Sequence, residues 1–189
     1  IRNDLVGSLG YPCGDTFGIS NYIFCRGATR YWCRTPASIP ADVRGMFDLN
    51  LTTRMRDLTD GSSNTIAMGE GASGANWKLS YNHPITGQPL LAEQSWLIAQ
   101  PSSSSYNASG LYSASLFGST FIPLNTRPVV DTSIDEAAQT NCTGGNDRTS
   151  NFRSDHIGGG HFLMGDGSVH FISENMDQVG PSNSGWSGG

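Results

Sequence analysis

HFLMGDGSVHFIS, residues 161–173, decides how this chain is read. The apolar runs HFLM and SVHFIS flank Gly165-Asp166-Gly167. Asp-Gly between two such runs is the strongest short-range hairpin signal, because a type I′ turn needs positive φ at both central positions. Centring that turn on Asp166 and Gly167 pairs Met164 with Val169 and Phe162 with Phe171, so these four are expected on one buried face. The other face would carry His161, Leu163, His170 and Ile172. His170 then sits opposite Leu163 and diagonal to His161, at roughly 7–8 Å between backbones.

Working outward, residues 155–177, DHIGGGHFLMGDGSVHFISENMD, hold three of the chain's four histidines. His161 and His170, with His156 as a third donor and Asp166 nearby, are the candidate ligands of an ion such as zinc. No fourth His, Cys or carboxylate stands at a recognisable ligand spacing, so histidines filling a half-buried sheet face are the preferred reading. Asp60-Gly61-Ser62-Ser63-Asn64 and Asp166-Gly167-Ser168 resemble oxygen-ligand loops, which keeps calcium as the one candidate cofactor. Neither has EF-hand spacing, and an Asp capping local backbone N–H groups explains both equally well.

At 189 residues the chain fits one domain. We expect it to span residues 1–177, with an irregular Cys-rich start at 1–50, a variable loop-rich insertion at 71–150, and a Gly/Ser-rich tail at 178–189. The net charge of −5, without a Lys/Arg cluster, argues against nucleic acid as a partner. Only 14% of residues are charged, against roughly 25% in an average soluble domain, and that profile suits an exported protein. Recurrent Gly and the lack of Ala/Leu/Glu/Lys-rich runs make long helices hard to find.

Cys13, Cys25, Cys33 and Cys142 form an even set without a CxxC pair, and in an exported chain two disulfides are expected, of open connectivity. Asn50, Asn107 and Asn141 open N-glycosylation triplets, consistent with a surface location. The sequence starts at Ile1 with no basic n-region, apolar h-region or membrane-spanning run. Whatever exports the chain is therefore expected to lie outside it.

Strands are expected within SNYIFCRGA (20–28), NTIAMGE (64–70), SWLIAQ (95–100) and STFIPL (119–124), with a helical turn between Thr52 and Thr59. G-x-S-x-G, H-E-x-x-H, the P-loop and a strand-following G-x-G-x-x-G are all missing. Glu70, Glu93, Asp131, Asp135 and Glu136 offer carboxylates that nothing in the sequence pairs. No enzyme is expected.

NFRSDHIGGGHFLMGDGSVHFISENMD (151–177) resembles the signature of the prepilin-type processing-associated H-x(9)-D-G family: nine residues separate His156 from Asp166-Gly167. RMRDLTDGSSNTIAMGE (54–70) resembles a second block of that family, with Asp60, Gly61, Asn64 and Glu70 at its marked positions. A weaker third element, SNYIFCRGA followed by RGMF (44–47), keeps the same order. The resemblance runs from about residue 18 to residue 177.

Members of that family are bacterial, numerous in planctomycetes, and usually begin with a prepilin leader and a long apolar helix like those of type IV pilins and type II secretion pseudopilins. That helix is absent from this sequence, so a membrane would be met only through a segment not present here. The family has no established catalytic residues; His156, Gly159, Asp166 and Gly167 carry over as structural signature positions. Together with the strand pattern, the resemblance implies an α+β, predominantly antiparallel β, pilin-like globular domain with long loops and a C-terminal β-hairpin. The expected function is a non-enzymatic pilin-like or pseudopilin-like subunit of an extracellular or cell-surface assembly, its partners identical or homologous subunits. A secreted glycan- or calcium-binding module is the alternative.

Overall fold

The computed structural model describes residues 20–28, 40–48, 52–82, 89–92, 117–129 and 150–176. These form eight strands: β1 (Tyr22–Gly27), β2 (Ile66–Glu70), β3 (Lys78–Asn82), β4 (Pro89–Leu91), β5 (Phe117–Ser119), β6 (Ser150–Asn151), β7 (Gly159–Met164) and β8 (Val169–Ser173). Six of them make one sheet in the order β6-β5-β1-β2-β7-β8, while β3 and β4 make a separate ribbon. The sheet is mixed: β1-β5 and β5-β6 are parallel, and the other neighbours are antiparallel.

The expected α+β class is corrected by this architecture. Among the described residues the only helical segments are single 3-10 turns at Met55–Asp57 and Ser62–Asn64, and the rest of the regular structure is β. The first of these falls within the expected turn at 52–59. SNYIFCRGA and NTIAMGE supply β1 and β2, but the strand expected at 119–124 is displaced to 117–119. SWLIAQ lies outside the described residues. Within 71–150, β5 sits inside the sheet between β1 and β6.

The hairpin forms at the expected place with a different register. Observed partners are Leu163↔Val169, Phe162↔His170, His161↔Phe171 and Gly160↔Ile172. The Gly167 N–H donates to the Met164 carbonyl at 3.0 Å, and the Met164 N–H to the Ser168 carbonyl at 2.8 Å. The loop therefore holds three residues, and within it only Gly167 has positive φ, at 88°. This is a tight turn closed by a left-handed glycine, the pattern next in frequency after two-residue primed turns. A slip of one residue reverses which side chains of β8 face the core. Phe162 and Met164 are buried as expected, whereas Val169 and Phe171 are 62% and 51% exposed. Ile172 instead packs against the core.

That core gathers Ile23, Cys25, Leu124, Phe152 and Phe162. Phe152 lies over two strand glycines: a Cβ on Gly69 or on Gly118 would come within 2.6 or 2.7 Å of its ring. Where β1 ends, Gly27 and Gly45 stand back to back, and a Cβ on either would approach the other's backbone nitrogen at 2.3–2.4 Å. The Gly45 N–H donates to the Arg26 carbonyl at 2.7 Å and the Ala28 N–H to the Val43 carbonyl at 2.8 Å. The GA and GMF elements of the sequence are thus the two sides of one close backbone crossing.

Cys25 is a buried thiol without a disulfide partner among the described residues. Burial pushes it up to about 12, against a smaller lowering by a hydrogen bond from the Gly27 backbone. Cys13, Cys33 and Cys142 lie outside the described residues, as do Asn50, Asn107 and Asn141.

Candidate functional site

β2 and β7 are adjacent and antiparallel, so the two signature blocks lie side by side and touch at both ends. At one end the Gly165 N–H donates to the Thr65 carbonyl at 2.8 Å, which docks the hairpin turn onto the Ser62–Asn64 turn. That second turn is self-bonded: Asn64 Nδ2 donates to the Asp60 carbonyl at 3.0 Å, and the Thr65 hydroxyl donates to the Gly61 carbonyl at 3.0 Å. Gly61 takes φ of 86°. Asp60, Gly61 and Asn64 therefore serve local turn geometry.

Asp166 is used in the same way. Its Oδ1 accepts the Ser168 N–H at 2.9 Å and the Ser168 hydroxyl at 2.6 Å. These bonds hold its carboxyl below the ordinary value, the hydroxyl contributing most. His170 Nε2 stands 3.0 Å from the same hydroxyl, so Asp166, Ser168 and His170 form an exposed chain along the turn.

At the other end the chemistry is different. Glu70, the last residue of β2, is 13% exposed at its side chain. Its Oε2 accepts the His161 backbone N–H at 3.0 Å. A Cβ on Gly160 would lie 3.2 Å from that oxygen and 3.1 Å from Ser154 Cβ, so a bare glycine gives the carboxylate room to reach the backbone. Glu70 Oε1 is left facing His156 Nε2 at 3.3 Å and His161 Nδ1 at 3.7 Å. The three donor atoms lie within 4.8 Å of one another, an arrangement suited to a divalent transition metal.

The supports of this cluster are equally specific. His156 follows a pinned loop: its N–H donates to Ser154 Oγ at 3.1 Å, the Ser154 N–H donates to Asn125 Oδ1 at 2.8 Å, and buried Trp77 donates its indole N–H to Asp155 Oδ1 at 3.0 Å. The imidazoles of His156 and His161 meet edge to face at 4.9 Å, and the Phe171 ring meets that of His161 edge to face at 5.2 Å. Gly158 turns the chain into β7 with φ of 82°.

The expected His161/His170 pairing is not what the sheet assembles. His161 lies opposite Phe171, and His170 opposite Phe162, so the two imidazoles project from opposite faces. The partners of His161 are His156 and Glu70. The sequence offered both histidines and Glu70, each within a signature block. It lacked the adjacency of β2 and β7 that joins them. Of the carboxylates weighed for catalysis, only Glu70 lies among the described residues.

Residues 14–179 match a family model labelled SBP_bac_10 and described as "Protein of unknown function (DUF1559)". The chain belongs to this DUF1559 family. No curated protein and no solved structure matches it.

Proposed function

We propose that this DUF1559 member is a non-enzymatic structural subunit of an extracellular filament or cell-surface assembly of the pilus or pseudopilus kind. Within the family we assign it to the prepilin-type processing-associated H-x(9)-D-G group, on the spacing from His156 to Asp166-Gly167. Its partners are identical or homologous subunits.

The observation that carries the reading is the outer edge of the sheet. Among the described residues β8 is the terminal strand of the sheet, and Val169 and Phe171 stand exposed along it, with Ile157 and Met176 exposed in the flanking segments. Soluble proteins usually blunt such an edge with charges, proline or a bulge, because its free N–H and C=O groups and apolar side chains template pairing with another chain. The five residues of β8, VHFIS, carry no lysine, arginine or proline. Strand-to-strand contact with a second copy would satisfy the edge and cover Phe171. Among the described residues no helix is long and apolar enough to cross a membrane.

The test is the association state of the native full-length protein, by cross-linking and electron microscopy, beside a Phe171→Lys variant. Ordered oligomers that dissociate in the variant support the proposal. A monodisperse native monomer, or oligomers indifferent to the change, overturns it.

A further inference from the structure

We propose that Glu70, His156 and His161 form a binding site for one divalent first-row transition metal ion of the zinc type, with solvent completing the coordination. This inference does not rest on the assembly reading.

The geometry is close to what a metal requires. Tetrahedral zinc, with bonds of about 2.0–2.2 Å to nitrogen and oxygen, holds its ligand atoms about 3.3–3.5 Å apart. Glu70 Oε1 lies 3.3 Å from His156 Nε2 and 3.7 Å from His161 Nδ1. His156 is 57% exposed at its side chain, so a small rotation of its ring is free to draw the third edge inward. Two imidazoles and one carboxylate make the donor set of a three-ligand site with an open position.

Three features set this cluster apart from a chance gathering of polar side chains. Glu70 spends one oxygen on the His161 backbone N–H, which orients the carboxylate and turns the other oxygen toward both imidazoles. Such outer hydrogen bonds are how protein sites fix a ligating carboxylate. The imidazole of His161 meets both the His156 and the Phe171 rings edge to face, contacts that favour its observed rotamer. Finally, the donors come from the end of β2, the 154–158 loop and β7, and a shared ion would tie these elements together beyond their backbone bonds.

The donor chemistry also selects the ion. Calcium and magnesium take oxygen ligands, and two imidazole nitrogens suit them poorly. Imidazole with carboxylate suits zinc and its first-row neighbours.

The experiment titrates the tag-free full-length protein with zinc against a chromophoric chelator and records the visible spectrum of its cobalt(II) form. We expect one equivalent bound at micromolar zinc or tighter, undisturbed by excess calcium, and a cobalt spectrum of low-coordinate type. His156→Ala and His161→Ala should each weaken binding tenfold or more, while His170→Ala leaves it unchanged. Circular dichroism of the apo variants verifies the fold; His156 is exposed, so its alanine variant keeps the test valid even if His161→Ala unfolds. Zinc bound only at millimolar concentration, or with unchanged affinity in His156→Ala, overturns the proposal.

Discussion

Phe152 meets Phe162 edge to face, with ring centroids 5.1 Å apart and planes at 66°, directly over the backbone of Gly69. An edge-to-face pair adds about 0.5–1.5 kcal/mol beyond its burial. It exists here because β2 has no side chain at that point: a Cβ on Gly69 would lie 2.5 Å from the Phe162 ring and 2.6 Å from that of Phe152. Gly69→Ala should therefore overpack the core and cost about 1–3 kcal/mol in urea unfolding. Adding Phe162→Leu to that variant relieves the clash, so the double mutant should lose less than the sum of the two single losses.

The hairpin turn gives a prediction in pH. Ser168 holds the Asp166 carboxyl below its ordinary value, so the folded state binds its proton less readily than the unfolded state does. The stabilisation is complete above the unfolded carboxylate range and disappears as pH falls through the depressed folded value, that is, below about pH 4. Asp166→Ala should lower stability at pH 7 and flatten the acid limb of a stability-versus-pH curve. An unchanged acid limb would show that the Ser168 bonds contribute nothing to folding.

Gly158 and Gly159 are adjacent but needed for different reasons. Gly158 has positive φ with nothing within 4 Å of an added Cβ, whereas a Cβ on Gly159 would lie 2.1 Å from the Ile172 carbonyl oxygen. Gly158→Ala should cost about 1–2 kcal/mol, the left-handed penalty alone, and Gly158→Asn less. Gly159→Ala must displace β8, so hydrogen exchange should reveal lost protection at Glu174, whose N–H bonds the Gly158 carbonyl at 2.9 Å.

These glycines mark how far the sequence was readable. Asp166-Gly167 locates the hairpin, because few other residue pairs suit a turn between apolar runs. It does not determine loop length, since Asp-Gly serves a two-residue turn with both residues left-handed and a three-residue turn with only Gly167 so. That single ambiguity exchanged Ile172 for Phe171 on the core face. The α part of the expected fold class came from a family resemblance, and the residues themselves argued for strands. Glu70 was visible as a signature position and His161 as a candidate ligand, yet their meeting depends on β2 lying beside β7. Sheet order is a tertiary fact that neither block encodes alone.

Cys25 should behave as a core side chain. With its thiol pushed up to about 12 by burial, almost no thiolate exists near neutral pH, and the thiolate is the reactive form. Alkylation of Cys25 in the native protein should be slow until denaturant is added, which peptide mapping by mass spectrometry can follow. A raised folded value also means that its contribution holds below about pH 9, the unfolded value, and is lost as pH rises toward the folded one. Cys25→Ala should therefore reduce the alkaline loss of stability while leaving a small cavity where the sulfur was.

Arg26 and Asp48 provide the sharpest electrostatic test. Arg26 Nε donates to Asp48 Oδ1 at 2.9 Å, with both side chains fully buried. Burying two charges is costly, so the pair itself need not add net stability, but removing one member leaves its partner's charge desolvated. Asp48→Ala should destabilise the protein by that mechanism, by at most about 3–5 kcal/mol. Asp48→Asn keeps a hydrogen-bond acceptor of similar shape and should retain part of the loss, whereas replacing both residues, as Arg26→Met with Asp48→Leu, should cost less than Asp48→Ala alone. Chemical denaturation of the four proteins decides the matter: if the double replacement is the least stable, the ion pair contributes more than the desolvation it requires, and its placement beside the Gly27–Gly45 crossing is a source of stability in its own right.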